Sequence, residues 1–211
     1  PNFNDNAWRR LSLPHDWSIE GDFQATNPSG ATGGALPGGI AWYRKHFDVP
    51  SYDRNKHYFI DFDGVYMNAS VYLNGHLLGT RPYGFISYRY ELTPYLKAKD
   101  NVMAVRVDNS EQPNCRWYSG SGIYRHVYLV TTNALHVAHW GTFVRATTDG
   151  KVCAEIKIDN QGSRSETVTV RNTVLNSAQK VVSTVLRKLT VNPNKPATFE
   201  ENMQVDKPEL W

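Results

Sequence analysis

Two short segments carry the side chains with the most chemistry to offer. Asp108 and Asn109 follow directly on an apparent strand, Asn101 to Val107, so both are expected where a strand opens into a loop. A carboxylate beside an amide presents hydrogen-bond acceptors and donors together, which suits recognition of a ligand rich in hydroxyls. The same residue types also close turns by bonding to their own backbone, so both readings stand. Arg116-Trp117-Tyr118 offers an aromatic face for stacking on a ring and a guanidinium fork for hydroxyls or carboxylates. The competing reading has Trp117 plugging a core and Arg116 pairing with a neighbouring acid, and the abundance of large aromatics in cores favours it.

Other residue types point away from metal, redox and phosphate chemistry. The seven histidines (15, 46, 57, 76, 126, 136, 139) show no His-Glu-x-x-His spacing, and His136 with His139 is a lone pair in a strand-like region. Cys115 and Cys153 form neither a disulfide framework nor a metal cluster and are expected free. Neither a cofactor nor a metal site is called for. The loop Gly30-Ala31-Thr32-Gly33-Gly34-Ala35-Leu36-Pro37-Gly38-Gly39 lacks the Lys-Ser/Thr ending of a phosphate loop and is too rich in glycine to be expected to pack.

The elements that must position these residues are strands. Apolar residues recur with period two, and no amphipathic helix of three turns is evident. Between Val65 and Leu73 the alternation predicts Val65, Met67, Ala69, Val71 and Leu73 on one face and Tyr66, Asn68, Ser70 and Tyr72 on the other. Asn74-Gly75 then tolerates the positive φ angles of a type I′ turn, so His76 to Thr80 is expected to return as the second strand of a hairpin. Further strands are predicted at Ile40 to Val49, Lys56 to Phe62, Phe85 to Leu92, Asn101 to Asp108 and Ile123 to Thr131, with turn-forming stretches between them. Such spacing favours a sandwich.

Around Thr131-Thr132-Asn133 the texture changes from Tyr- and Trp-rich to Val- and Thr-rich strands: Val152 to Asn160, Glu166 to Asn176, Val181 to Val191 and Ala197 to Val205. A domain boundary is therefore placed near residue 133, giving domains 1–133 and 134–211. The second segment, about 78 residues with about six strands, falls short of the seven strands and roughly 100 residues of an immunoglobulin-like sandwich. It is expected to be cut off, with an unpaired sheet edge prone to meeting another copy.

A net charge of +3, with basic and acidic residues intermixed, excludes the basic stripe that nucleic acid requires. No apolar run nears the roughly 20 residues needed to cross a bilayer. A leader removed upstream of Pro1 would make the protein periplasmic or secreted; the residues present do not set its localisation.

Three segments in this order resemble glycoside hydrolase family 2, the family of bacterial β-galactosidases, β-glucuronidases and β-mannosidases. They are Trp8 to Trp17 (WRRLSLPHDW), similar to the family's opening strand and its Pro-His-Asp-Trp turn; Gly38 to Phe47 (GGIAWYRKHF), preceding Asp61-Phe62-Asp63-Gly64-Val65 and the Asn74-Gly75 hairpin; and Val107-Asp108-Asn109 followed by Arg116 to Arg125 (RWYSGSGIYR). Ser119 stands where proline is common, which relaxes that turn without abolishing it.

The resemblance implies an all-β chain in which a jelly-roll, galactose-binding-like sandwich is followed by a truncated immunoglobulin-like β-sandwich. A (β/α)8 barrel would come after them. The family's two catalytic glutamates lie on that barrel, about 5 Å apart in a retaining mechanism. None of Glu20, Glu91, Glu111, Glu155, Glu166, Glu200, Glu201 or Glu209 sits in a matching motif, so no catalytic residue is assigned and the chain alone is expected to be inactive. The resemblance further implies that the acidic residue at Asp108 helps hold the terminal sugar, with Asn109, Arg116 and Trp117 as the other substrate-binding candidates. The glycine-rich loop would extend towards the active-site mouth and order only against the barrel. Implied partners are a carbohydrate, of β-galactoside type by the RWYSGSGIYR stretch, the chain's own barrel, and further copies in a homo-oligomer. A β-glucuronidase or β-mannosidase fragment and a free-standing carbohydrate-binding module are the alternatives.

Overall fold

A computed structural model describes residues 3–210, and every described element but one is a β-strand. The exception is a single 3-10 turn at Ser18–Glu20. The chain forms two compact units that divide between Thr131 and Thr132.

In the first unit, β1 (Gly39–Phe47), β6 (Asn101–Asn109), β3 (Ala69–Leu73) and β4 (His76–Arg81) lie side by side in that order as one antiparallel sheet. A second sheet has the order β5 (Tyr88–Glu91), β2 (Lys56–Phe62), β7 (Val127–Asn133). The period-two pattern buries one face of each. Val71, Leu73, Val105 and Val107 from the first sheet meet Tyr58, Ile60, Phe62 and Tyr88 from the second in one core, with Phe62 stacked on Tyr88 at 5.1 Å. The hairpin between β3 and β4 turns through Asn74 and Gly75, both at positive φ, as the dipeptide requires.

The strand expected from Val65 begins only at Ala69. Tyr66, expected to face outward, is 4% exposed, while Met67 is only half-buried. The reason is tertiary: Tyr66 exchanges both backbone hydrogen bonds with Gly122 at 2.9 Å, and Asn68 takes a positive φ, so the pleat is broken before β3 starts. Two other strands start later than expected, at Tyr88 and at Val127. Residues 8–17 are no strand. Their backbone runs beside 121–123 through two bonds only, His15 N–H to the Ile123 carbonyl (2.8 Å) and Trp17 N–H to that of Ser121 (3.0 Å).

Among the described residues the second unit has five strands where about six were expected. Its sheets are β12 (Ala197–Gln204), β9 (Lys151–Asn160), β8 (Leu135–Ala146) in that order, and β10 (Glu166–Leu175) with β11 (Val181–Val191). Ala154, Ile156 and Ile158 of β9 face Val168, Val170, Val185 and Leu189 of the β10–β11 pair. β8 breaks its pairing with β9 between Val137 and Thr142, and Trp140 stands there at positive φ.

Candidate functional site

Strand β6 carries the candidate residues to the rim of the first sandwich. Alternation along the strand sends the two neighbours opposite ways: Asp108 to the outer face, Asn109 inward. Asn109 is 2% exposed, and its amide is fully used. Its Nδ2 donates to the Gly120 carbonyl (3.1 Å) and to Ser121 Oγ (2.7 Å), while its Oδ1 accepts from Gln112 Nε2 (2.8 Å) and Asn114 Nδ2 (2.7 Å). Four bonds exhaust two donors and two acceptor sites. Asn109 therefore holds the following loop in place.

Ser121 passes that order on. Its hydroxyl lies 2.6 Å from Ser18 Oγ, which is itself 2.5 Å from the Pro37 carbonyl oxygen. A hydroxyl has one proton, so Ser18 donates to the carbonyl and Ser121 donates to Ser18. Asp16 completes the rim: Oδ1 accepts the backbone N–H of Ser18 and of Ser121 (2.9 Å each), and Oδ2 accepts the Tyr118 hydroxyl. Burial and that bond to a carboxylate both push the Tyr118 phenol upward. Gly120 and Gly122 have positive φ, and a side chain at Gly122 would collide with Tyr43 Oη, 2.4 Å away. Desolvation raises Tyr43 to about 12, with His15 Nδ1 2.8 Å from its oxygen.

On this frame Trp117 is 70% exposed, with Arg116 exposed beside it. The expected plug of the core is thus corrected: residues 16, 18, 109 and 121 hold the segment from beneath, and Trp117 projects into solvent. Asp108 Oδ1 accepts from Ser110 N–H (3.1 Å) and Oγ (2.6 Å), and Oδ2 accepts from Arg106 (2.9 Å). These bonds, the Ser110 hydroxyl first, hold its carboxyl below the usual carboxylate range. The turn-capping reading of Asp108 is the arrangement found, and it leaves the group ionised and part-exposed.

The glycine-rich loop, expected not to pack, is packed. Ser29 and Leu36 are buried, Ser29 Oγ donates to the Leu36 carbonyl (2.7 Å), and Ala35 N–H bonds to Gly30 (2.7 Å). Two of its glycines permit close approach: a Cβ on Gly33 would lie 2.7 Å from Ser29 Cβ, and one on Gly38 2.6 Å from the Asn109 carbonyl oxygen. The organising roles of Asp16, Ser18 and Ser121 escaped sequence reasoning, although Asp16 and Ser121 lie inside two of the quoted motifs. The bonds that join Asp16 and Ser18 to Ser121 span more than 100 positions.

A family profile described as "Glycosyl hydrolase 2 galactose-binding domain-like" matches residues 39–147. The chain belongs to glycoside hydrolase family 2. It is 49% identical over its full length to "Beta-galactosidase BoGH2A" of Bacteroides ovatus, of which it covers 25%, and 29% identical to a "Beta-glucuronidase" of Formosa agariphila, covering 24% of it. The chain spans about a quarter of the length of these relatives. Among solved structures, a family 2 member from Bacteroides cellulosilyticus superposes on the whole chain with a TM-score of 0.94 at 35% identity, and a β-glycosidase from Bacteroides vulgatus with 0.86 at 38%; the chain covers 28% and 27% of them.

Proposed function

We propose that this chain is the sugar-side, non-catalytic part of a β-galactosidase-type retaining glycoside hydrolase. A galactose-binding-like jelly roll over 1–133 shapes one wall of the sugar pocket. An immunoglobulin-like sandwich over 134–211 helps support a (β/α)8 barrel that supplies the acid/base and nucleophile carboxylates. Asp108, Arg116 and Trp117 face the sugar, with Asn109 beneath them as the residue that sets their positions.

The observation that carries this reading is Trp117, widely exposed on a segment whose underside is fully hydrogen-bonded. A large ring held out in water by a rigid frame is a surface prepared for a partner, and a pyranose presents an apolar C–H face that suits it. The ionised Asp108 supplies an acceptor for hydroxyls. Exposed Arg116 supports a second reading, a β-glucuronidase, because a guanidinium matches the carboxylate of a uronic acid. The test is hydrolysis of nitrophenyl β-galactoside and β-glucuronide by the whole protein. Faster turnover of the galactoside, lowered on Trp117→Ala through KM, is expected. Preference for the glucuronide, lost on Arg116→Ala, would select the second reading. The 211-residue chain alone should release nitrophenol no faster than buffer, and clear turnover would overturn its non-catalytic assignment.

A further inference from the structure

The turn between β3 and β4 holds the one Asn-Gly pair in the sequence, Asn74-Gly75, and with it a reaction open to any such pair. The backbone nitrogen of the glycine, having given up its proton, attacks Cγ of the asparagine. Ammonia leaves, a five-membered succinimide closes, and water opens it to aspartate or to isoaspartate, so that one water is taken up for each ammonia released. Glycine in the second position leaves the attacking nitrogen unscreened by a side chain. The local sequence thus favours the reaction, and where the folded chain holds the Asn74 carboxamide decides whether it proceeds.

Both heteroatoms of that carboxamide are engaged elsewhere. Nδ2 donates to the Tyr95 carbonyl (2.8 Å) and to Asn101 Oδ1 (3.0 Å), and Oδ1 accepts the Val102 N–H (2.8 Å). The Asn74 N–H bonds in turn to the Val102 carbonyl (2.9 Å). The side-chain bonds direct the carboxamide at residues 95–102, whereas ring closure requires it to turn back onto its own chain. Asn101 is fully buried, and its amide is fixed by Lys97: Oδ1 accepts the Lys97 N–H (2.9 Å) and Nδ2 donates to the Lys97 carbonyl (2.7 Å). His76 stacks on Tyr95 with centroids 4.2 Å apart and planes within 12°, which ties the residue after Gly75 to the one that supplies the accepting carbonyl.

We propose that Asn74 is a modification site that the fold keeps closed: it deamidates only while the turn is parted from residues 95–102, and the product is not taken back. Aspartate at this position would keep the bond from the Val102 N–H. It would also set a carboxylate oxygen where Nδ2 now stands, against the Tyr95 carbonyl and Asn101 Oδ1, which are both acceptors. Asn101 cannot turn its amide to help without giving up both bonds to Lys97. Isoaspartate lengthens the main chain within the two-residue turn, so Leu73 and His76 lose the register in which they pair. A transient opening of the turn is thereby made permanent. The inference is independent of which glycoside the whole protein cleaves.

The experiment incubates the whole protein in mildly alkaline buffer, native and unfolded in guanidinium, at one temperature. Conversion of Asn74 is read by peptide mass spectrometry and by enzymatic methylation of isoaspartate. Native conversion should be at least about tenfold slower than in the unfolded chain, because only the opened fraction reacts. His76→Ala, at an exposed position, should raise the native rate and leave the unfolded rate unchanged. Asn74→Asp, which installs the product, should lower the melting temperature of the first unit or prevent its folding. Equal rates in native and unfolded protein overturn the proposal. A native rate that neither His76→Ala nor Asn101→Ala changes also overturns it, since the protection would then have another source; should Asn101→Ala not fold, His76→Ala decides alone. An Asn74→Asp protein that melts with its parent overturns the claim that the product is refused.

Discussion

Replacing Asn109 by alanine removes four hydrogen bonds in one step, but the four partners do not suffer equally. Gln112 and Asn114 lie at the surface and regain water, whereas the Gly120 carbonyl and the Ser121 hydroxyl belong to buried residues. A buried group left without a partner costs about 1–3 kcal/mol, so two of them set a range of about 2–6 kcal/mol. Ser121 keeps its bond to Ser18, which places the expected loss near the lower half, about 3 kcal/mol. For a unit of this size that corresponds to a fall of about 10 °C in the melting temperature. Calorimetry resolves the transition of the first unit, and near-ultraviolet circular dichroism reports whether the aromatic segment around Trp117 loosens at the same time. A fall of less than about 2 °C would refute the claim that Asn109 anchors this loop.

Gly122→Ala, which drives a Cβ against Tyr43 Oη and the His15 carbonyl at positive φ, should lower the melting temperature clearly more than Gly39→Ala, which also has positive φ but open space around it; equal losses would show that packing is not the cause. Tyr43 keeps its proton to about pH 12 in the folded chain, while the unfolded chain loses it near 10. The folded state thus holds more protons in that window, so stability should fall as pH rises from about 10 to 12, and Tyr43→Phe should flatten the fall in urea titrations. Asp108 has the opposite sign. Its carboxyl is held low by Ser110 and Arg106, so its contribution is present above the unfolded value near 3.9 and disappears as pH drops through the folded one; carbon-detected titration should give a midpoint that rises in Ser110→Ala. Asp149, lowered to about 2 chiefly by its bond to Lys151, should titrate closer to its ordinary value in Lys151→Ala.

Local chemistry was enough to read much of this protein. Alternation of side chains placed β1, β2, β6, β9 and β11 within two residues of their observed ends, and Asn74-Gly75 placed the hairpin, because period and turn preference act between near neighbours. Resemblance of three short segments indicated the family and drew attention to 108–125. Tertiary structure decided what those segments do. Tyr66 turned inward because Gly122, distant in sequence, offered its backbone; the glycine-rich loop packed because Ser18, Ser29 and Asn27 took up its carbonyls; and Trp117 faced water because the positions beneath it were already filled. Each outcome depends on hydrogen-bond partners 7 to 105 residues apart, and a one-dimensional pattern carries no record of which distant donor will reach which acceptor.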